Sequence, residues 1–148
     1  MDVDFKVAEV ELTYKPTKNK KGAVITASDA YKLILPTFPD DVIEYREYFK
    51  VLMLNHNNEV IAYNTVGTGG ITECAADVRL IMQVALLTNA TQLILVHNHP
   101  SGNLRPSRDD DRLTNQIVEA AKLMRIRVMD HLVISKTDYY SYAENGKI

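Results

Sequence analysis

At 148 residues, with 46% hydrophobic and 24% charged side chains, the chain has the size and composition of one globular domain with its own core. A net charge of −2 leaves no global basic footprint for nucleic acid, and a single cysteine rules out an internal disulfide, which fits a reducing cytoplasm. No apolar run reaches the roughly 18 residues of a membrane span, and the acidic start MDVDFKVAEV does not read as a signal peptide.

The chain opens with an extension to about Gly22. In it Val7–Tyr14 (VAEVELTY) alternates apolar and polar residues, which predicts an edge strand. Pro16 and a lysine cluster (Lys15, Lys18, Lys20, Lys21) end it, and the cluster reads as a solvated loop rather than a phosphate patch. Ser28 is expected to cap a helix over Asp29–Pro36. Glu47–Asn55 and Val60–Gly67 read as two strands of a hairpin turning at His56–Glu59. The GTGG of Gly67–Gly70 breaks the pattern and reads as a flexible turn. From Thr72 or Glu73 onward Val78, Ile81, Met82, Ala85 and Leu86 recur at helical spacing. Gln92–His97 suits a short buried central strand, and Asp109–Met124 is helical by period. Ile126–Ser135 and the YYSYA of Tyr139–Ala143 look like two final strands. Strands separated by helices, after an early hairpin, predict an α/β domain with a mixed β-sheet and helices packed on its faces.

The chemistry concentrates in Leu93–Asp111, LILVHNHPSGNLRPSRDDD. His97 and His99, two residues apart at the end of an extended run, point to the same side. The carboxyl end of a strand in an α/β sheet is also where sites tend to form. Pro100, Gly102 and Pro106 turn the chain, and the next helix begins near Ser107, so Asp110 falls in its first turn. Two nitrogens and one carboxylate oxygen, with one position open to water, make the ligand pattern of a catalytic zinc. The same residues also suit a helix start without any metal. Ser107 and Asp110 fit a capping box, and three acids at a helix N-terminus suit its dipole. On local physics alone Asp109, Asp110 and Asp111 read as capping and solubility residues rather than as ligands. Elsewhere, His131 beside Asp130 reads as a buried, hydrogen-bonded histidine in preference to a supporting role behind a metal. His56 reads as a turn residue and Cys74 as structural. The terminal tyrosines read as strand packing rather than base stacking.

The string His97-x-His99, seven residues, then Ser107-x-x-Asp110 resembles the JAMM motif of the JAB/MPN metalloprotease domain, and HNHPSGNLRPSRDD is similar to the RadC family within it. The likeness runs from about residue 24 to 146, taking in EYFKVLMLN before the motif and VMDHLVIS and YYSYAENG after it. It divides the chain into an N-terminal extension, residues 1–23, and a single RadC-like JAB/MPN domain, residues 24–148. The resemblance implies that His97, His99 and Asp110 hold Zn2+, leaving Asp109 and Asp111 as helix-start acids. It implies a general base at Glu47, in EYFKVLML, ahead of the competing Glu44. It implies that Ser107 hydrogen-bonds the reacting water or the developing oxyanion while it caps the helix.

The function so implied is a zinc metallopeptidase or isopeptidase that cleaves an amide in a protein or peptide substrate. The alternative is a non-catalytic or DNA-repair-associated RadC-like binding module. The extension is too short for the helix-hairpin-helix region such proteins usually carry, and the stretch TECAADVR keeps only Arg79 of the family's HPRE-type segment. DNA contact is accordingly not expected from charge or from the extension. A zinc nucleobase deaminase would need H-x-E followed by P-C-x-x-C, which one cysteine cannot supply. An edge strand could also pair between copies to give a homo-oligomer.

Overall fold

The computed structural model describes residues 6–17, 22–70 and 76–148. Helix α1 spans Ala27–Ile34 and continues into a 3-10 turn over Leu35–Thr37. Its cap is Thr26 rather than Ser28. Thr26 Oγ1 accepts the Asp29 N–H at 3.2 Å, and the Asp29 carboxylate accepts the Thr26 N–H at 2.8 Å. That reciprocal pair satisfies two end donors at once, which Ser28, already inside the first turn, does not do.

Strands β1 (Tyr48–Leu54) and β2 (Val60–Thr68) form the expected hairpin. Helix α2 covers Val78–Leu87. It starts later than Thr72 or Glu73 because Asp77 caps it, accepting the Arg79 N–H at 2.8 Å. Residues 71–75, Cys74 among them, lie outside the described residues, as do Lys18, Lys20 and Lys21. Strand β3 (Gln92–Asn98), helix α3 (Arg108–Leu123), strand β4 (Arg127–Ile134) and strand β5 (Tyr139–Ser141) follow.

The strands form one mixed sheet in the order β2-β1-β3-β4-β5. Among the described residues only β3 and β4 pair in parallel, and α3 supplies the crossover that a parallel pair requires. Pairing on both edges and cover on both faces bury every residue of β3, which explains its unbroken apolar run. Leu93 and Leu95 pack with Phe49, Ile81 and Ile117 on the α2–α3 side. Ile94 and Val96 pack with Ile34, Leu52 and Leu132 on the α1 side. Continued for two residues, this alternation brings His97 out toward α3 and Asn98 out toward α1.

Residues 6–17 form no strand, contrary to the alternating pattern. Val7, Val10 and Leu12 are exposed, and the Tyr14 hydroxyl donates to the Ile61 carbonyl at 3.1 Å. Alternation describes a two-faced segment, but a strand also needs a ladder. Among the described residues the extension pairs with the sheet only through the bridge between Ala23 and Glu59. Among the described residues no helix is long and apolar enough to cross a membrane.

Candidate metal centre

The site lies where β3 ends and α3 begins. The His99 N–H still bonds the Ile134 carbonyl at 3.1 Å, so the second histidine remains tied to the sheet. Gly102 then takes φ of 79°, a conformation that side chains disfavour, and its N–H returns to the His99 carbonyl at 3.0 Å. Ser107 starts α3 with a complete capping box. Ser107 Oγ accepts the Asp110 N–H at 3.0 Å, and Asp110 Oδ2 accepts the Ser107 N–H at 2.8 Å.

The box turns the Asp110 carboxylate back toward the strand. His97 Nε2 lies 3.3 Å from Asp110 Oδ1, and His99 Nε2 lies 3.3 Å from Asp110 Oδ2. The two Nε2 atoms are 3.0 Å apart. A tetrahedral zinc with bonds of about 2.0–2.1 Å spaces its ligand atoms by about 3.3 Å, so this donor set fits such an ion in both chemistry and spacing. Capping and convergence are thus one arrangement, not alternatives. The neighbouring acids point elsewhere. Asp109 meets Arg112 at 3.2 Å in solvent, whereas Asp111 accepts from the Tyr142 hydroxyl at 2.7 Å and from Lys147 at 3.0 Å.

Charge at the site reflects this crowding. Burial opposes the Asp110 carboxylate, yet the His97 and His99 imidazoles outweigh it and hold the carboxyl far below the usual range. Burial likewise opposes a charged His99. The Asp110 hydrogen bond, the Asn103 carbonyl and the Glu47 charge outweigh it and raise the His99 pKa.

Glu47 is buried one residue before β1. Phe49 sits opposite His97 in the β1–β3 register, so two residues further along the ladder Glu47 comes opposite His99. Its N–H donates to the Gly70 carbonyl at 3.1 Å, and its carbonyl accepts the Gly69 N–H at 2.9 Å. The GTGG segment is therefore no flexible turn. It prolongs the β1–β2 ladder and anchors Glu47. Asn98, between the histidines but on the other face, accepts the Tyr48 N–H at 2.7 Å through Oδ1. Its Nδ2 donates to the carbonyls of Ile43 and Arg46 at 2.7 and 2.8 Å. Glu44 is exposed in the turn before.

Comparison with known proteins gives this arrangement a family. The RadC-like JAB domain model matches residues 24–147. The chain belongs to the RadC-like JAB family. It is 37% identical over 127 residues to a UPF0758 protein of Flavobacterium johnsoniae, covering 86% of this chain and 54% of that protein. It is 44% identical over 99 residues to a UPF0758 protein of Streptococcus gordonii, covering 67% of this chain and 44% of that one. A UPF0758 protein of Haemophilus influenzae is 40% identical over 139 residues, covering 94% and 62%. The chain spans about half the length of these relatives.

This RadC-like domain also builds a layer behind the candidate donor atoms that sequence reasoning placed differently. His131 is buried, as expected, but the Asp130 carboxylate bonds the Ser141 hydroxyl at 2.6 Å and the Ala143 and His131 N–H groups at 2.9 and 2.7 Å, not the imidazole. The His131 ring lies behind the site instead. Its Nε2 is 2.7 Å from His97 Nδ1, and its Nδ1 is 2.6 Å from Thr114 Oγ1. Burial pushes its pKa well below that of an ordinary histidine and keeps it neutral. Phe49 stacks on His97 with rings 5.9 Å apart, and Tyr142 stacks on His131 at 4.7 Å. Thr114, Asn98 and Tyr142 carried no sequence signal beyond ordinary polar or aromatic patterning.

Proposed function

We propose that this RadC-like domain is a zinc-dependent metallopeptidase or isopeptidase that hydrolyses an amide in a protein or peptide substrate. The supporting observation is the convergence of His97 Nε2, His99 Nε2 and the Asp110 carboxylate at 3.0–3.3 Å, with the charge of Glu47 felt at His99. Zinc held by such a set supplies a Lewis acid for a carbonyl oxygen and acidifies water to a pKa of about 7. The remaining work falls to the chain. Glu47, anchored by the Gly69–Gly70 backbone, takes the proton of the attacking water and returns it to the leaving amine. Ser107 Oγ spends a lone pair on the Asp110 N–H, so its own O–H proton is left for the developing oxyanion. His97 is buried while His99 and Asp110 are partly exposed, which opens the convergence point to substrate from one side.

The test is Glu47→Gln, assayed for zinc content and for turnover of quenched peptide and isopeptide amides. Zinc content should stay as in the wild type while turnover falls by about 10²–10⁴-fold. Undiminished turnover in that variant removes the assigned base. Zinc-loaded wild-type protein that cleaves no amide in the panel favours the non-catalytic reading.

A further inference from the structure

We infer that Thr114 and His131 act as positioning residues that fix the tautomer of His97, so that its Nε2 lone pair faces the ligand cluster. The inference deepens the metal-site reading above and rests on it. The direction of each bond follows from counting protons. The Asp110 carbonyl has none, so the Thr114 hydroxyl, 2.6 Å away, donates its single proton there. Thr114 Oγ1 then has only lone pairs to offer His131 Nδ1 at 2.6 Å, and Nδ1 must carry the hydrogen. An imidazole with one proton is bare at its other nitrogen, so His131 Nε2 accepts. Its partner at 2.7 Å, His97 Nδ1, therefore donates. His97 is left bare at Nε2, the atom 3.0 Å from His99 Nε2 and 3.3 Å from Asp110 Oδ1.

The opposite order sets two oxygen lone pairs against each other at the 2.6 Å contact between Thr114 and Asp110. It also aims an N–H of His97 into the cluster. His99 reaches the same tautomer separately, its Nδ1 donating to the Asn103 carbonyl. Ligating histidines usually donate their second N–H to a carboxylate, a carbonyl or water. Here the acceptor is a wholly buried imidazole with Tyr142 stacked on it. The chain of bonds closes on itself, because the carbonyl that orients Thr114 belongs to Asp110, whose carboxylate completes the donor set.

Long-range 15N–1H correlation spectra of the metal-free 148-residue chain read each tautomer directly and need no variant. His97 and His131 are both expected with the proton on Nδ1, and His97 protonated on Nε2 overturns the inference. Zinc affinity by chelator competition supplies the second arm. Thr114→Val and His131→Phe should each weaken zinc by about 10–100-fold, while Thr114→Ser, which keeps the hydroxyl, binds as the wild type does. Folded Thr114→Val and His131→Phe proteins with wild-type affinity also overturn it. Wild-type protein that takes up no zinc removes the proposed function instead, and the spectra still decide the proton order.

Discussion

Strand β3 buries Gln92 at its start and His97 near its end, and treats the two in opposite ways. At its start, Gln92 Nε2 donates to the Asn55 carbonyl at 2.8 Å and to Asn58 Oδ1 at 2.7 Å, tying the hairpin turn to the sheet. Each contact there joins a donor to an acceptor. At its other end, His97 Nε2, His99 Nε2 and the Asp110 carboxylate converge at 3.0–3.3 Å, and in the tautomers inferred above all of them are acceptors. Matched pairs contribute to stability by themselves. Converging lone pairs are unfavourable until a proton or a cation lies among them. The strand side chains Gln92 and His97 are both buried, so it is the hydrogen-bond polarity that separates a fold-stabilising contact from the candidate metal site.

The contrast breaks most sharply with Asp110→Ala, which should cut zinc affinity by at least about 100-fold, read as metal content after gel filtration. Retention of one zinc per chain would place the metal elsewhere. Changing pH gives the next largest effect. Zinc requires neutral imidazoles, and the raised His99 pKa means that protons compete into the range above about 6.5. In the metal-free protein, the His99 contribution to stability is present below about pH 6.5 and lost as pH rises through its folded pKa. The depressed His131 pKa works with the opposite sign. The rise in melting temperature on adding zinc should therefore be larger at pH 8 than at pH 6, and a larger rise at pH 6 contradicts the ligand set. The smallest effect belongs to the other end of the strand. Gln92→Ala should cost about 1–2 kcal/mol in denaturant unfolding and leave zinc content unchanged. Lost zinc in that variant would show that the two ends are not independent.

How much of this was legible in the sequence depended on how far apart the interacting groups lie. Ser107 and Asp110 stand within one helical turn and His97 and His99 within one strand end, so spacing alone brought them near each other. Choosing Asp110 over its neighbours still required the family resemblance. The direction in which the capping box aims the Asp110 carboxylate is the physical reason behind that choice. His131 and Thr114 meet across 17 residues, and His131 and His97 across 34. Only the parallel β3–β4 pairing, with α3 crossing over it, makes them neighbours, and no local pattern encodes that. Two local patterns pointed the wrong way. Gly67–Gly70 looked flexible by composition, yet its backbone serves the ladder beside Glu47. Val7–Tyr14 alternated like a strand without a ladder to join.

Asn98 carries a consequence for how this domain tolerates change. Its three hydrogen bonds measure the entry to β1 from the histidine strand itself, not from α1 or from the turns between them. The exposed residues Asp40, Asp41 and Glu44 can then change without moving Glu47, whereas Phe38 and Ile43 are held in the core on the α1 side. Variation is absorbed on one face of the sheet, while the spacing across the other is held constant.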